Sequence, residues 1–169
     1  MKNMTAKDVA MCALVAALTF IFTYAFKIPV ANGYVHLGDS FIFLGVFLLG
    51  RKKACMAGGL GAALADLIGG YAVWVVPTFI IKTIMAYTMG TITEVALKEN
   101  KNGHIAGMLA GGVVQVVLYT AVNILVFGMA FAGISCFSDV VQTLTSVVMA
   151  VVFISSIKRT SIYSQIKNS

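Results

Sequence analysis

The sequence predicts an all-α integral membrane protein: six transmembrane helices in one bundle, with the N- and C-termini cytoplasmic. Three observations carry this expectation. Of 169 residues, 60% are hydrophobic and only 11% are charged, against about 25% charged in an ordinary soluble domain. The mean hydropathy is +0.95, which leaves too little polar surface to face water. The few charges fall in short clusters that divide the chain into apolar runs. A soluble enzyme and a disordered tail are excluded on these grounds. Nucleic-acid binding is not expected either, because the net charge of +6 comes from twelve basic residues set against few acids.

A helix needs about 20 apolar residues to cross the hydrocarbon core. Runs between charges place the helices at 9–26, 33–50, 54–76, 77–97, 105–127 and 140–157. The first follows Lys2 and Lys7 but is longer than the apolar stretch of a signal peptide, about 7–15 residues, and lacks a small-x-small cleavage site, so it is read as retained. The second is interrupted by Asp39. The third and fourth are separated at Pro77. The fifth begins after Lys98 and Lys101, and the sixth ends at Lys158 and Arg159, beyond which a polar tail is expected to fray.

Cytoplasmic loops collect Lys and Arg. With the N-terminus inside, the inner segments hold Lys2, Lys7, Arg51, Lys52, Lys53, Lys98, Lys101, Lys158, Arg159 and Lys167, ten of the twelve basic residues. Lys27 then lies outside and Lys82 within a span. The three cysteines form no CxxC pair; no disulfide, metal or cofactor is expected. No GxxxxGK[ST] loop occurs, and Gly58-Gly59-Leu60-Gly61 lacks the last glycine of GxGxxG and follows no strand. A pump built from this chain must take its energy from a partner or an ion gradient.

Ala6, Ala10, Ala13 and Ala17 share one face of the first helix, Gly58, Ala62, Asp66 and Gly70 one face of the third, and Gly107 and Gly111 form a GxxxG. Small residues let membrane helices approach closely. The glycine stripes are assigned to packing inside the bundle. The alanine stripe fits either packing or docking onto another membrane protein.

Ionisable groups inside a bilayer mark a functional site by default. At 1.5 Å of rise per residue, Asp39, Asp66, Lys82, Asn123 and Gln142, from five helices, all fall in the outer half of the membrane. Glu94 lies near the inner surface and suits a helix end or a partner contact; Gln115, near the middle, is left unassigned. Two accounts of the outer cluster stay open. Asp66 and Lys82 form a buried ion pair while the amides join helices, or the group lines an outward pocket for a small polar molecule, beside aromatic residues as ligand sites are built. Tyr71 and Trp74 also suit an interfacial aromatic belt, His36 a solvated turn, and Asp39 a helix N-cap.

The stretch Ile28-Pro29, Asn32 through Asp39, the Leu49-Gly50-Arg51-Lys52 turn, and Gly59, Ala65-Asp66-Leu67, Gly70-Tyr71, Trp74, Pro77-Thr78 and Ile81-Lys82 resemble the S component of an energy-coupling factor (ECF) vitamin transporter. Within that family the chain is most similar to riboflavin-type and related S components, strongly over residues 6–97 and beyond that mainly in hydropathy and length. The resemblance implies a six-helix bundle in a bacterial plasma membrane that captures a micronutrient from outside. It implies a membrane coupling protein and two ABC-type ATPases as partners, with ATP hydrolysis in the partner toppling the loaded subunit. It also implies docking through Ala13 and Ala17, extended by Ala6 and Ala10, and a pocket including Asp39, Asp66, Tyr71, Trp74 and Lys82, capped by Tyr34 and His36. Asn123 and Gln142 join that pocket on depth alone.

The expected ligand is a flat heterocycle: pyridoxine or a hydroxymethylpyrimidine first, then riboflavin, then pantothenate. The rival classes are a self-sufficient small-solute facilitator or a structural membrane protein. An embedded enzyme lacks support, since His36 and His104 fall on opposite sides of the membrane and no HExxH or GxSxG occurs.

Overall fold

The computed structural model describes residues 4–30 and 33–160. Six α-helices dominate it: α1 (Ala6–Tyr24), α2 (Gly38–Leu49), α3 (Arg51–Ile68), α4 (Val75–Thr91), α5 (Gly103–Phe127) and α6 (Met129–Lys158). Strands β1 (Ile28–Val30) and β2 (Gly33–Val35) form an antiparallel hairpin between α1 and α2, pairing Ile28 with Val35 and Pro29 with Tyr34. Four segments, Ala6–Tyr24, Ala72–Ala96, Gly103–Phe127 and Met129–Lys158, are long and apolar enough to cross a membrane.

Each boundary has a local cause. α1 starts at a reciprocal cap, in which Asp8 N–H donates to Thr5 Oγ1 (3.2 Å) and Thr5 N–H to Asp8 Oδ2 (3.1 Å), leaving fewer orphan donors in the first turn. α2 has only 12 residues, about 18 Å at helical rise, and beyond Asp39 and Ser40 it is apolar on every face, as suits a helix buried from Gly38 to Val46. It packs against α1, α3, α4 and α6. Its Ile42 and Phe43, both 0% exposed, join Met85, Met89 and Met108 in the core. α3 starts with Arg51, whose N–H donates to Glu94 Oε1 at 2.7 Å; Glu94 serves this helix end. It presents small buried residues, including Ala57, Gly58, Gly61, Ala62 and Ala65, to its neighbours. A Cβ at Gly61 would run into the carbonyl of Ala16 on α1, so the close α1–α3 crossing requires glycine there. Of the stripe Gly58, Ala62, Asp66 and Gly70, only the first two serve internal packing, Gly58 against Ile42, whereas Asp66 faces a cavity beneath the hairpin and Gly70 is exposed at the helix end.

Three expected boundaries are corrected. The span 33–50 begins late, at Gly38, because Gly33-Tyr34-Val35 is a strand of the hairpin. The span 54–76 runs instead from Arg51 to Ile68. It stops at Gly69-Gly70, where Gly70 takes φ +82°, a conformation cheap only for glycine; a 3₁₀ turn, Ala72–Trp74, leads into α4. Pro77 lies inside α4, in the first turn, where its missing N–H costs no hydrogen bond. The span 140–157 starts eleven residues earlier, at Met129. The stretch before Val140 is helical, with Ser135, Asp139 and Gln142 spaced by four and three on one face. Lys2, Asn32, Lys167 and most of the polar tail lie outside the described residues.

Candidate functional site

Beneath the hairpin lies a cavity of about 160 Å³, bounded by the end of α1, β2, the α3–α4 turn, α4, α5 and α6. Its floor is a buried polar network. Lys82 on α4 contacts Asp39 Oδ1 at 2.7 Å with both side chains 1% exposed, and donates to Asp39 Oδ2 at 2.8 Å and to Gln115 Oε1 at 2.7 Å. Asp39 Oδ2 also accepts from Gln142 Nε2 (2.9 Å) and Gln115 Nε2 (3.2 Å). Gln115 reaches Thr143 Oγ1 at 3.3 Å. One lysine and one carboxylate are thus neutralised together and pinned by two amides. A buried ion pair is tolerated only where hydrogen bonds satisfy its remaining lone pairs and protons.

This arrangement corrects two expectations. Lys82 pairs with Asp39, not Asp66. Asp39 does not cap α2 either: Leu37 holds the N-cap position, without a side-chain cap bond, and Asp39 turns into the bundle. Asp39 lies under the cavity and does not line it. Gln115, unassigned from sequence, is a central member of the floor.

The roof is built on the hairpin. Tyr34 Oη donates to Asp66 Oδ1 at 2.7 Å, fastening β2 to the end of α3. Burial, reinforced by that carboxylate, pushes the Tyr34 phenol well above its usual range, so it stays protonated and donating. Lys27 Nζ lies over the rings of Tyr34 (4.6 Å), Tyr71 (4.8 Å) and Tyr24 (5.0 Å). A cation held by three aromatic faces joins the hairpin to the ends of α1 and α3. His36 is buried, 7% exposed, which overturns the solvated-turn alternative. Its backbone N–H donates to Gln142 Oε1 (3.4 Å) and its Nδ1 accepts from Gly38 N–H (3.1 Å). Burial pushes His36 down to about 4, and the neutral imidazole is the form that can accept from Gly38.

Of the residues nominated from sequence, Tyr34, His36, Asp66, Tyr71, Trp74, Lys82, Asn123 and Gln142 all line this cavity. Asn123 donates to Ser135 Oγ at 3.0 Å, joining α5 to α6. Thr23, Thr78, Tyr119, Phe131, Ser135 and Asp139 line it as well and were not nominated. Ser135 and Asp139 share a helical face with Gln142, and both lie before the expected start of the sixth span at 140. Tyr119 Oη donates to Thr78 Oγ1 at 3.0 Å, and its ring lies 5.9 Å from Trp74. Trp74 in turn stacks on Phe127 at 5.8 Å, so one wall is aromatic. Ala6, Ala10, Ala13 and Ala17 do not line this site, and all four are uncovered by the rest of the bundle.

The family model described as ECF-type riboflavin transporter, S component, matches residues 3–159. The chain is 29% identical over 165 residues to the thiamine precursor transporter HmpT of Lactococcus lactis subsp. cremoris (strain MG1363), covering 96% of this chain and 94% of that protein. It is 32% identical over 122 residues to an uncharacterized protein from the gap 3' region of Pyrococcus woesei, covering 72% of this chain and 80% of that protein.

Proposed function

The chain belongs to the family of ECF-type riboflavin transporter S components, a family of multi-pass cell-membrane proteins, and on that premise we propose that it captures a single-ring vitamin or vitamin precursor for uptake by partner subunits. The observation that carries this reading is the cavity: polar, lined on one side by aromatics, sealed below by the Lys82–Asp39 network and roofed by the hairpin. Its volume of about 160 Å³ suits one substituted six-membered ring, since an engineered cavity of about 150 Å³ holds benzene. This volume favours a single ring over a three-ring flavin. Lys82 is already neutralised by Asp39, which disfavours an anion such as pantothenate. The likeness to a thiamine precursor transporter supports a pyrimidine ahead of a pyridine.

In this reading residues 1–169 form one transmembrane domain of six helices with both termini cytoplasmic, as the sorting of Lys and Arg supports. The hairpin then faces outward. The ligand lies against Trp74 and Tyr119 and bonds to polar groups of α3, α5 and α6, while Tyr34 and His36 close above it. The uncovered alanine face of α1 docks onto a membrane coupling protein that works with two ABC-type ATPases. No step of covalent chemistry is assigned to the chain.

The test is gentle purification from membranes, followed by mass spectrometry of small molecules released on denaturation and binding measurements with a vitamin panel. A stoichiometric single-ring heterocycle is expected. Protein that carries nothing and binds no member of the panel refutes the capture function.

A further inference from the structure

The donors around the cavity are largely committed. Lys82 serves Asp39 and Gln115, Gln142 gives its amide N–H to Asp39, and the phenols of Tyr34 and Tyr119 donate to Asp66 and Thr78. On the α5–α6 wall, two buried oxygens stay open as acceptors. Asp139 Oδ2 is buried without a hydrogen-bond partner, and so is Asn123 Oδ1. Asn123 is 2% exposed and already uses its nitrogen on Ser135, one helical turn before Asp139 on α6. A buried carboxylate oxygen without a donor is costly, and native proteins rarely leave one so. A ligand that brings N–H groups to this wall satisfies both residues.

Resting on the capture function proposed above, we infer that Asp139 is the specificity-determining residue of the cavity and reads the amino edge of an N-heterocycle, with Asn123 as a second acceptor. A 4-aminopyrimidine presents an exocyclic N–H beside a ring nitrogen. The amine donates to one carboxyl oxygen of Asp139, and a single proton is shared between the other oxygen and the ring nitrogen. Two parallel bonds of this kind are directional and strong. The electrostatics agree: Asp66 and Asp139 face the cavity, whereas the ammonium of Lys82 is spent on Asp39. The lining therefore selects for donor-rich, neutral or cationic rings and against carboxylates and phosphates. Trp74, Tyr119 and Phe131 give the ring its flat contact.

The experiment uses the purified full chain in lipid nanodiscs and titration calorimetry with three probes: 4-amino-5-hydroxymethyl-2-methylpyrimidine, its 4-oxo analogue and its 4-dimethylamino analogue. The unaltered protein is expected to bind the amino compound at least about tenfold more tightly than either analogue, since each removes the exocyclic N–H that an Asp139 oxygen accepts. Asp139→Asn places a donor where the carboxylate only accepted. It should weaken the amino compound about tenfold or more and shift the preference toward the 4-oxo form. Equal binding of the three probes by the unaltered protein overturns the assignment without any variant having to fold, as does a well-folded Asp139→Asn that keeps the original preference. Failure to bind any of the three also overturns it. The capture function is then judged separately by whether the purified protein carries another vitamin.

Discussion

Removing the ammonium of Lys82 should unfold the cavity floor before it affects anything else. Two unit charges 2.7 Å apart attract by about 6 kcal/mol at an effective dielectric of about 20. Much of that attraction offsets the loss of hydration of both groups, so the pair is not a large net gain over an apolar pair. Its one-sided loss is different. Lys82→Met keeps the side-chain length but leaves the Asp39 carboxylate, 0% exposed, facing two amide donors and no cation. Breaking a buried pair in this way costs about 3–5 kcal/mol, and Gln115 Oε1 loses its donor as well. The combined change Lys82→Met with Asp39→Asn removes both charges. An amide at position 39 still accepts from Gln142 and can donate to Gln115, so most of the loss should return. The assay is a thermal melt in detergent, with fluorescence-detected size exclusion for monodispersity. A single variant that melts like the unaltered protein, or a double variant no better than the single, refutes the ion pair as the keystone of the floor.

Three other perturbations follow from the same geometry. Because His36 sits at about 4 when folded and near 6.5 when unfolded, the unfolded chain binds the extra proton between those values. Stability therefore rises with pH across that window, and acidifying from 6.5 towards 4 should cost up to about 3 kcal/mol, read as a falling melting temperature that His36→Gln makes flat. Lys27→Met removes the cation from three tyrosine rings and should speed ligand release several-fold with little change in melting temperature; an unchanged off-rate in stopped-flow fluorescence would exclude it as a roof fastener. Ala13→Leu with Ala17→Leu should leave ligand affinity intact and abolish co-purification with the coupling protein and ATPases. A variant complex that still assembles would move the docking face elsewhere.

The helices were legible because apolar runs between charges are set by the chemistry of crossing lipid. The site was legible because Asp66, Lys82, Asn123 and Gln142 are too costly to bury without a use. Two kinds of feature were not. The hairpin has three-residue strands, too short for an alternating pattern to stand out from the apolar run that follows, so 33–37 was absorbed into a helix. The partner of Lys82 was also out of reach: Asp39 and Asp66 fall at similar depths, and only the rotation of α2 about its axis decides which one faces α4. Asp139 was missed for a different reason: the sixth span was begun at Val140, one residue after it, whereas α6 starts at Met129.

The floor also bears on whether the chain could move a solute unaided. Its network joins α2, α4, α5 and α6 through Asp39, Lys82, Gln115, Thr143 and Gln142, and beneath it lie Phe43, Met85, Met89 and Met108, all 0% exposed. A solute passing through the bundle would have to separate the ion pair, strip several hydrogen bonds and then open a dry, close-packed core. Each step leaves buried polar groups unpaired at a cost of about 1–3 kcal/mol, and more for charges. Opening the roof breaks fewer buried bonds: Tyr34–Asp66, the Lys27 contacts and the His36 N–H to Gln142. A site with a weak roof and a strong floor equilibrates with one side of the membrane only. This is the behaviour that the proposed capture function calls for: binding by the chain itself, with delivery to the other side left to the proposed partner on the uncovered face of α1.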